Sequence, residues 1–180
     1  MISYQYSKRI LKKAIIKIKD ENIKSINSLN RVVSKNIYSP INYPSGDNAA
    51  FDGYAVNSRD TKNIKKNLAK KFKIIGLIAA GNKPFNKKIK KFDAVEIMTG
   101  GIIPKGFDTI IPIEKIVFYP NNNIKRYILI DQKLKKHNHV RFAGSDFKKR
   151  ELVVKKSTFI QPNHILWTKL GNYGHSGEEG

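Results

Sequence analysis

Between Phe51 and Ile130 the chain offers only short apolar runs, and these set its centre as β-structure. Residues 54–57, 72–79, 92–98, 109–113, 115–119 and 126–131 are rich in Val, Ile, Phe and Tyr. Turns containing Gly, Pro, Asn or Asp separate them, which is the punctuation of consecutive strands. The Pro120-Asn121-Asn122-Asn123 cluster predicts a hairpin tip. Strands spaced this way suggest a small barrel or sandwich. The lysine-dense stretch 62–73 reads as a loop or a short helix.

The flanks differ. Ser7 predicts the cap of a helix reaching about Asp20, with Ile10, Leu11, Ala14, Ile15 and Ile18 on one face and lysines mostly opposite. Such a basic amphipathic helix can lie on a membrane, but without Trp or Phe on the apolar face it reads as a helix docked on its own protein. Residues 22–39 carry a shorter apolar pattern in Leu29, Val32, Val33 and Ile37. Beyond Arg141, residues 151–154 and 157–160 read as short strands. Pro162 suits the first turn of a helix reaching Leu170. The small, polar end of the chain predicts a disordered tail.

Among 180 residues, 40% are hydrophobic, enough for a buried core in one large or two small domains. The absence of cysteine excludes disulfides, thiolate metal sites and cysteine nucleophiles. No secretory signal is evident and no apolar run approaches the ~20 residues of a membrane helix, so a soluble, cytoplasmic protein is expected. The formal charge is +21, spread along the chain, and 29 of the 35 basic residues are lysine. Base recognition favours arginine, so the charge argues against a specific nucleic-acid reader. It still attracts anionic ligands and gives salt-sensitive, non-specific nucleic-acid binding. Lysine, asparagine and isoleucine share adenine- and thymine-rich codons, which points to drift in codon usage.

Two segments escape that drift. In Pro40 to Val56, two prolines fix an extended approach and Asp47-Asn48 precedes a second acidic turn, Asp52-Gly53. A carboxylate on a tight turn beside a glycine suits a polar ligand, while Asp-Gly is equally a common hairpin turn. In Val95 to Pro104 a strand runs into Thr99-Gly100-Gly101, offering a hydroxyl and unobstructed amides to an anion, or simply a loop ending in proline. The spacing is not that of a Walker loop. Gly81-Asn82-Lys83-Pro84 is, alone, a turn. His137 and His139 would share one face of a strand, but two histidines without a carboxylate or cysteine make an incomplete zinc set.

Taken together, these segments resemble the MoeA family of molybdopterin molybdenumtransferases, related to the gephyrin E domain. Asp47-Asn48-Ala49-Ala50-Phe51-Asp52-Gly53-Tyr54-Ala55-Val56 resembles its DNSAMDGYAV-type motif. Ala80-Gly81-Asn82-Lys83-Pro84 resembles its AGxP turn, and Glu96 to Asp108 its IMTGAPxPxGxD motif. Glu114 falls where the family has a glutamate. Val140 to Asp146 resembles VRxxGED. Order and spacing agree over roughly residues 5 to 171.

The resemblance implies an α+β, β-rich fold. An elongated outer domain of helices and strands, residues 1–45 and 138–171, would carry an inserted barrel-like domain, 46–137, with 172–180 as the tail. It implies a homodimer that inserts molybdate into adenylated molybdopterin with release of AMP and uses Mg2+. Asp52 and Thr99 would be the catalytic pair, with Asp52 at the metal. Asn48, Gly53, Gly81 and Gly100 would bind substrate. Family members continue into a pterin-binding α/β domain whose resemblance is absent here. This chain is therefore expected to supply half of the site, from a split or degraded gene, with a separate pterin-binding domain or a molybdopterin adenylyltransferase as partner. Ala49, Phe51 and Ser145 replace the usual serine, methionine and glutamate. The competing expectations are a non-catalytic dimerisation or assembly module and, more remotely, a basic nucleic-acid-binding protein.

Overall fold

The computed structural model describes residues 2–14, 19–65, 68–82 and 85–170. In chain order the elements are α1 (Tyr4–Lys13), β1 (Ile37–Tyr38), β2 (Asn48–Ala49), β3 (Gly53–Val56), β4 (Lys70–Ile78), β5 (Asp93–Ile97), β6 (Thr109–Pro112), β7 (Val117–Pro120), β8 (Lys125–Ile130), β9 (Val140–Arg141), β10 (Leu152–Val154) and α2 (Pro162–Leu170). No described helix is long and apolar enough to cross a membrane.

Six strands form a curled half-barrel in the order β6-β3-β5-β4-β8-β7. All pairings are antiparallel except β4 with β5. The sheet stays open, with β6 and β7 as its edges. Strand alternation places two apolar sets on opposite faces. Ala55, Val95, Ile97 and Ile110 join Ala49, Ile78 and Phe107 on one side. Tyr54, Val56, Phe72, Ala94, Ile111, Ile128 and Ile130 pack on the other. A central sheet buried on both faces explains why β3 and β5 read as nearly unbroken apolar runs.

Both ends of the chain meet outside this sheet. β1 pairs with β10, β2 with β9, and single bridges join Val32 to Phe159 and Tyr43 to Phe147. Val33, Val154 and Ile160 form a third, small cluster there.

Several expectations need correction. The cap of α1 lies four residues before the anticipated Ser7: the Ser3 side chain accepts from Tyr6 N, while the Ser7 hydroxyl donates back to Ser3 O inside the helix. A mid-helix serine hydroxyl bonds backward to the preceding turn, so Ser7 cannot act as cap. The helix stops at Lys13, with Ala14 extended, and does not reach Asp20; residues 15–18 lie outside the described set. α1 buries none of its residues, contrary to the expected docked face. Residues 157–160 form a bridge rather than a strand, because Ser157 turns the chain at φ 67°. The 62–69 stretch contains no helix among its described residues, and β4 starts at Lys70. The tail lies outside the described residues.

Candidate functional site

Three turns gather at one end of the sheet. β4 and β5 run parallel, so their carboxyl ends lie side by side, and Met98 N donates to Ile78 O across them at 2.8 Å. β3 enters antiparallel beside β5. The turn after β4 (Ala80, Gly81), the turn after β5 (Thr99-Gly100-Gly101) and the turn before β3 (Asp52) are therefore neighbours. The Ala80 side chain lies close enough that a Cβ on Gly100 would sit 3.5 Å from it.

Asp52 and Thr99, 47 residues apart, are directly joined. Thr99 donates from both its backbone N and its Oγ1 to Asp52 Oδ1, each at 2.6 Å. The Thr99 hydroxyl, followed by its backbone amide, holds the Asp52 carboxyl below the usual carboxylate range. Both bonds fall on Oδ1. Both side chains are exposed, on an open surface. A groove of about 940 Å³ lies elsewhere, among residues 19–37 and the 154–168 segment.

The segment leading into Asp52 is fastened on both sides. Ala49 N donates to Gly101 O at 3.0 Å and Gly100 N donates to Ala49 O at 2.9 Å. Asp47 O accepts from Ile103 N, and Asp47 Oδ1 accepts from Ala143 N at 2.9 Å. Thus the Asp47–Val56, Glu96–Asp108 and Val140–Asp146 segments are one hydrogen-bonded unit. The sequence profile of the MoeA N-terminal region (domain I and II) matches residues 2–171. The chain belongs to this MoeA N-terminal family. Haemophilus influenzae has a relative named molybdopterin molybdenumtransferase, 34% identical over 143 residues, covering 79% of this chain and 33% of the relative. A relative of the same name in Bacillus subtilis is 29% identical over 149 residues, covering 83% and 34%. Two structures described as the molybdopterin biosynthesis MoeA protein of Pyrococcus horikoshii superpose with TM-scores of 0.79 and 0.77, at 26% and 28% identity. They cover 94% and 90% of this chain and 44% and 40% of theirs. The MoeA-like chain spans about a third of the length of these curated relatives.

Within this MoeA framework the other anticipated residues fall into different settings. Gly100 and Gly81 take φ of 80° and 77°, a region that side chains rarely adopt. Gly81 has open space around it, while Lys83 and Pro84 of its motif lie outside the described residues. Gly53 is buried in β3, and a Cβ there would stand 2.0 Å from Ile111 O. Its missing side chain admits the backbone of β6. Asn48 is also buried, at 7% exposure, and its Oδ1 has no hydrogen-bond partner among the described residues.

His137 and His139 do not share a strand face. Their φ values of 64° and 55° place them in a turn ahead of β9, His137 against Phe142 and His139 against Phe51. Asp108 is a brace, accepting from Ser58 N at 2.7 Å and Ser58 Oγ at 3.0 Å. Glu114 is exposed in the turn after β6. Among the described residues, no group of three or more His, Asp or Glu gathers to hold a metal. Asp52 by itself fits magnesium, which commonly takes one or two carboxylates and completes its shell with waters and substrate phosphates.

Sequence reasoning noted Phe51 as a replacement for methionine and His139 as half of an incomplete zinc set, and did not bring the two together. Phe51 is 52% exposed beside Asp52, and His139 meets it edge-on with centroids 5.1 Å apart. A large aromatic within an acidic turn was the available signal.

Proposed function

We propose that this chain serves molybdenum cofactor biosynthesis by contributing the Asp52–Thr99 side of a molybdopterin molybdotransferase site. The observation that carries the reading is the convergence of the two motifs on one carboxylate, with both bonds at 2.6 Å. Its substrates are adenylated molybdopterin and molybdate, and AMP leaves. These are polyanions, which a chain of formal charge +21 attracts. Asp52 holds Mg2+ through its ionised carboxylate, and the ion offsets phosphate and molybdate charge when bound. Thr99 orients that carboxylate, Gly100 holds the turn through its amide bond to Ala49 O, and the neighbouring open turn at Gly81 receives the anion. Asn48 and Gly53 support these turns from within. In this reading residues 46–137 carry the site, and residues 1–45 and 138–171 form the outer unit of a cytoplasmic homodimer. The complementary half of the pocket comes from a pterin-binding domain.

The test supplies that half. This chain is mixed with the separately expressed remainder of the Bacillus subtilis relative, adenylated molybdopterin, molybdate and Mg2+, and AMP release is followed with cofactor formation. Turnover is expected only in the mixture, and Asp52→Asn is expected to abolish it. Turnover by the chain alone, or a mixture indifferent to Asp52→Asn, would refute the reading.

A further inference from the structure

The backbone of Phe51 is held beside the Thr99–Gly101 turn by the hydrogen bonds of its neighbours. Ala49 is bonded to Gly100 and Gly101, Ala50 N donates to His139 O at 3.0 Å, and Asp52 is bonded to Thr99. A residue between two such anchors, each ~3.8 Å per step along the chain, cannot leave the Thr99–Gly101 turn. Yet its ring is not buried: 52% of Phe51 remains exposed. Its support is His139, half-buried, whose ring stands at 88° to that of Phe51. His139 is itself fixed at φ 55° by the turn into β9. An edge-to-face contact of this kind steadies a ring, and the exposed remainder of Phe51 is open to stacking.

We propose that Phe51 is a stacking platform for a bicyclic nitrogen heteroaromatic ring, with His139 as its buttress and the Asp52–Thr99–Gly100 turn receiving the charged end of the same ligand. The inference rests on the function proposed above and adds the residue that takes the planar part. Purine and pterin rings share the required chemistry: a flat, polarisable face wider than the phenyl ring. The platform and the carboxylate stand on consecutive residues, so a ring on Phe51 and a phosphate near the Asp52 turn are separated by the length of a short linker. The position demands a flat side chain, which leucine of similar apolar bulk does not supply.

The test measures binding rather than turnover. The whole chain is titrated with two probes, AMP and neopterin monophosphate, in the presence of Mg2+, by ligand-observed NMR up to millimolar concentration. Phe51→Leu is expected to weaken at least one probe by about five- to 150-fold, the range of one stacked base on an aromatic side chain. Phe51→Trp restores or tightens it, and Asp52→Asn weakens it independently. The probe that responds to Phe51→Leu identifies the ring as purine or pterin. Thermal unfolding of each variant checks that the exposed substitution leaves the fold intact. If Asp52→Asn weakens binding and Phe51→Leu stays within twofold of wild type, the platform is overturned while the proposed function stands. If Phe51→Leu weakens binding and Asp52→Asn does not, the ring sits outside the site and the proposal fails. If the wild-type chain binds neither probe, the platform is overturned, while the function above stands or falls by turnover in the mixture.

Discussion

Replacing Gly53 with alanine probes how the sheet and the site depend on each other. A Cβ at position 53 would lie 2.0 Å from Ile111 O, 2.9 Å from Ile111 C and 3.1 Å from the Pro112 Cα. A carbon normally rests about 3.3 Å or more from a carbonyl oxygen, so β3 and β6 must part by more than ~1 Å. All three atoms are backbone, and no side-chain rotation relieves the overlap. That separation carries ladder bonds of the usual ~2.9 Å beyond hydrogen-bonding range. Two lost bonds at ~1 kcal/mol each, with overpacking of ~1–3 kcal/mol, give a destabilisation of about 3–5 kcal/mol. Urea unfolding followed by far-UV circular dichroism measures it, as a lower midpoint at unchanged slope. Gly81→Ala is the control: no described residue lies within 4 Å, and its φ of 77° opposes the change at ~1–2 kcal/mol. A Gly53→Ala loss below ~1 kcal/mol, or one no larger than that of Gly81→Ala, would show that strand proximity does not dictate the glycine.

Two further outcomes follow from the hydrogen bonds. Thr99→Val removes the larger of the two influences that lower the Asp52 carboxyl, so its titration in NMR should move up toward the ordinary value. The sign for stability follows: a depressed carboxyl contributes above its unfolded value and loses that contribution as pH falls through the folded one, so wild type should lose more stability on acidification than the valine variant. An Asp52 titration unchanged by Thr99→Val would contradict the geometry. Asp108→Ala should cost about 2 kcal/mol in chemical denaturation, because two donors of Ser58, itself 7% exposed, lose a charged acceptor. A cost near zero would mean that water replaces the carboxylate without penalty.

The strands were legible because their boundaries are chemical. Turn residues flank each apolar run, so expected and observed ends differ by only one or two positions, as at 92–98 against Asp93–Ile97. Their partners were not legible: the parallel seating of β4 on β5 joins segments whose pattern carries no register. The Asp52–Thr99 contact was readable as two unusual turns, but the bond between them is a product of that seating. Gly53 shows the opposite failure. A glycine beside an acidic turn reads as a ligand approach, and only the backbone of β6 reveals the occupant of its space. The histidines misled because alternation presumes extended backbone, and both residues have positive φ. Phe51 was visible as a departure from methionine, while its exposure was not.

The double-sided core described above also bears on how the chain absorbs compositional pressure. With apolar clusters above and below one sheet, isoleucine has vacancies on either face: Ile78, Ile97 and Ile110 fill one, Ile111, Ile128 and Ile130 the other. Lysine accumulates where strands meet solvent, as at the exposed Lys70, Lys71 and Lys73 of β4. Adenine- and thymine-rich codons can therefore spread through interior and exterior alike and meet resistance chiefly at the bends, where shape rather than hydropathy decides which residue survives.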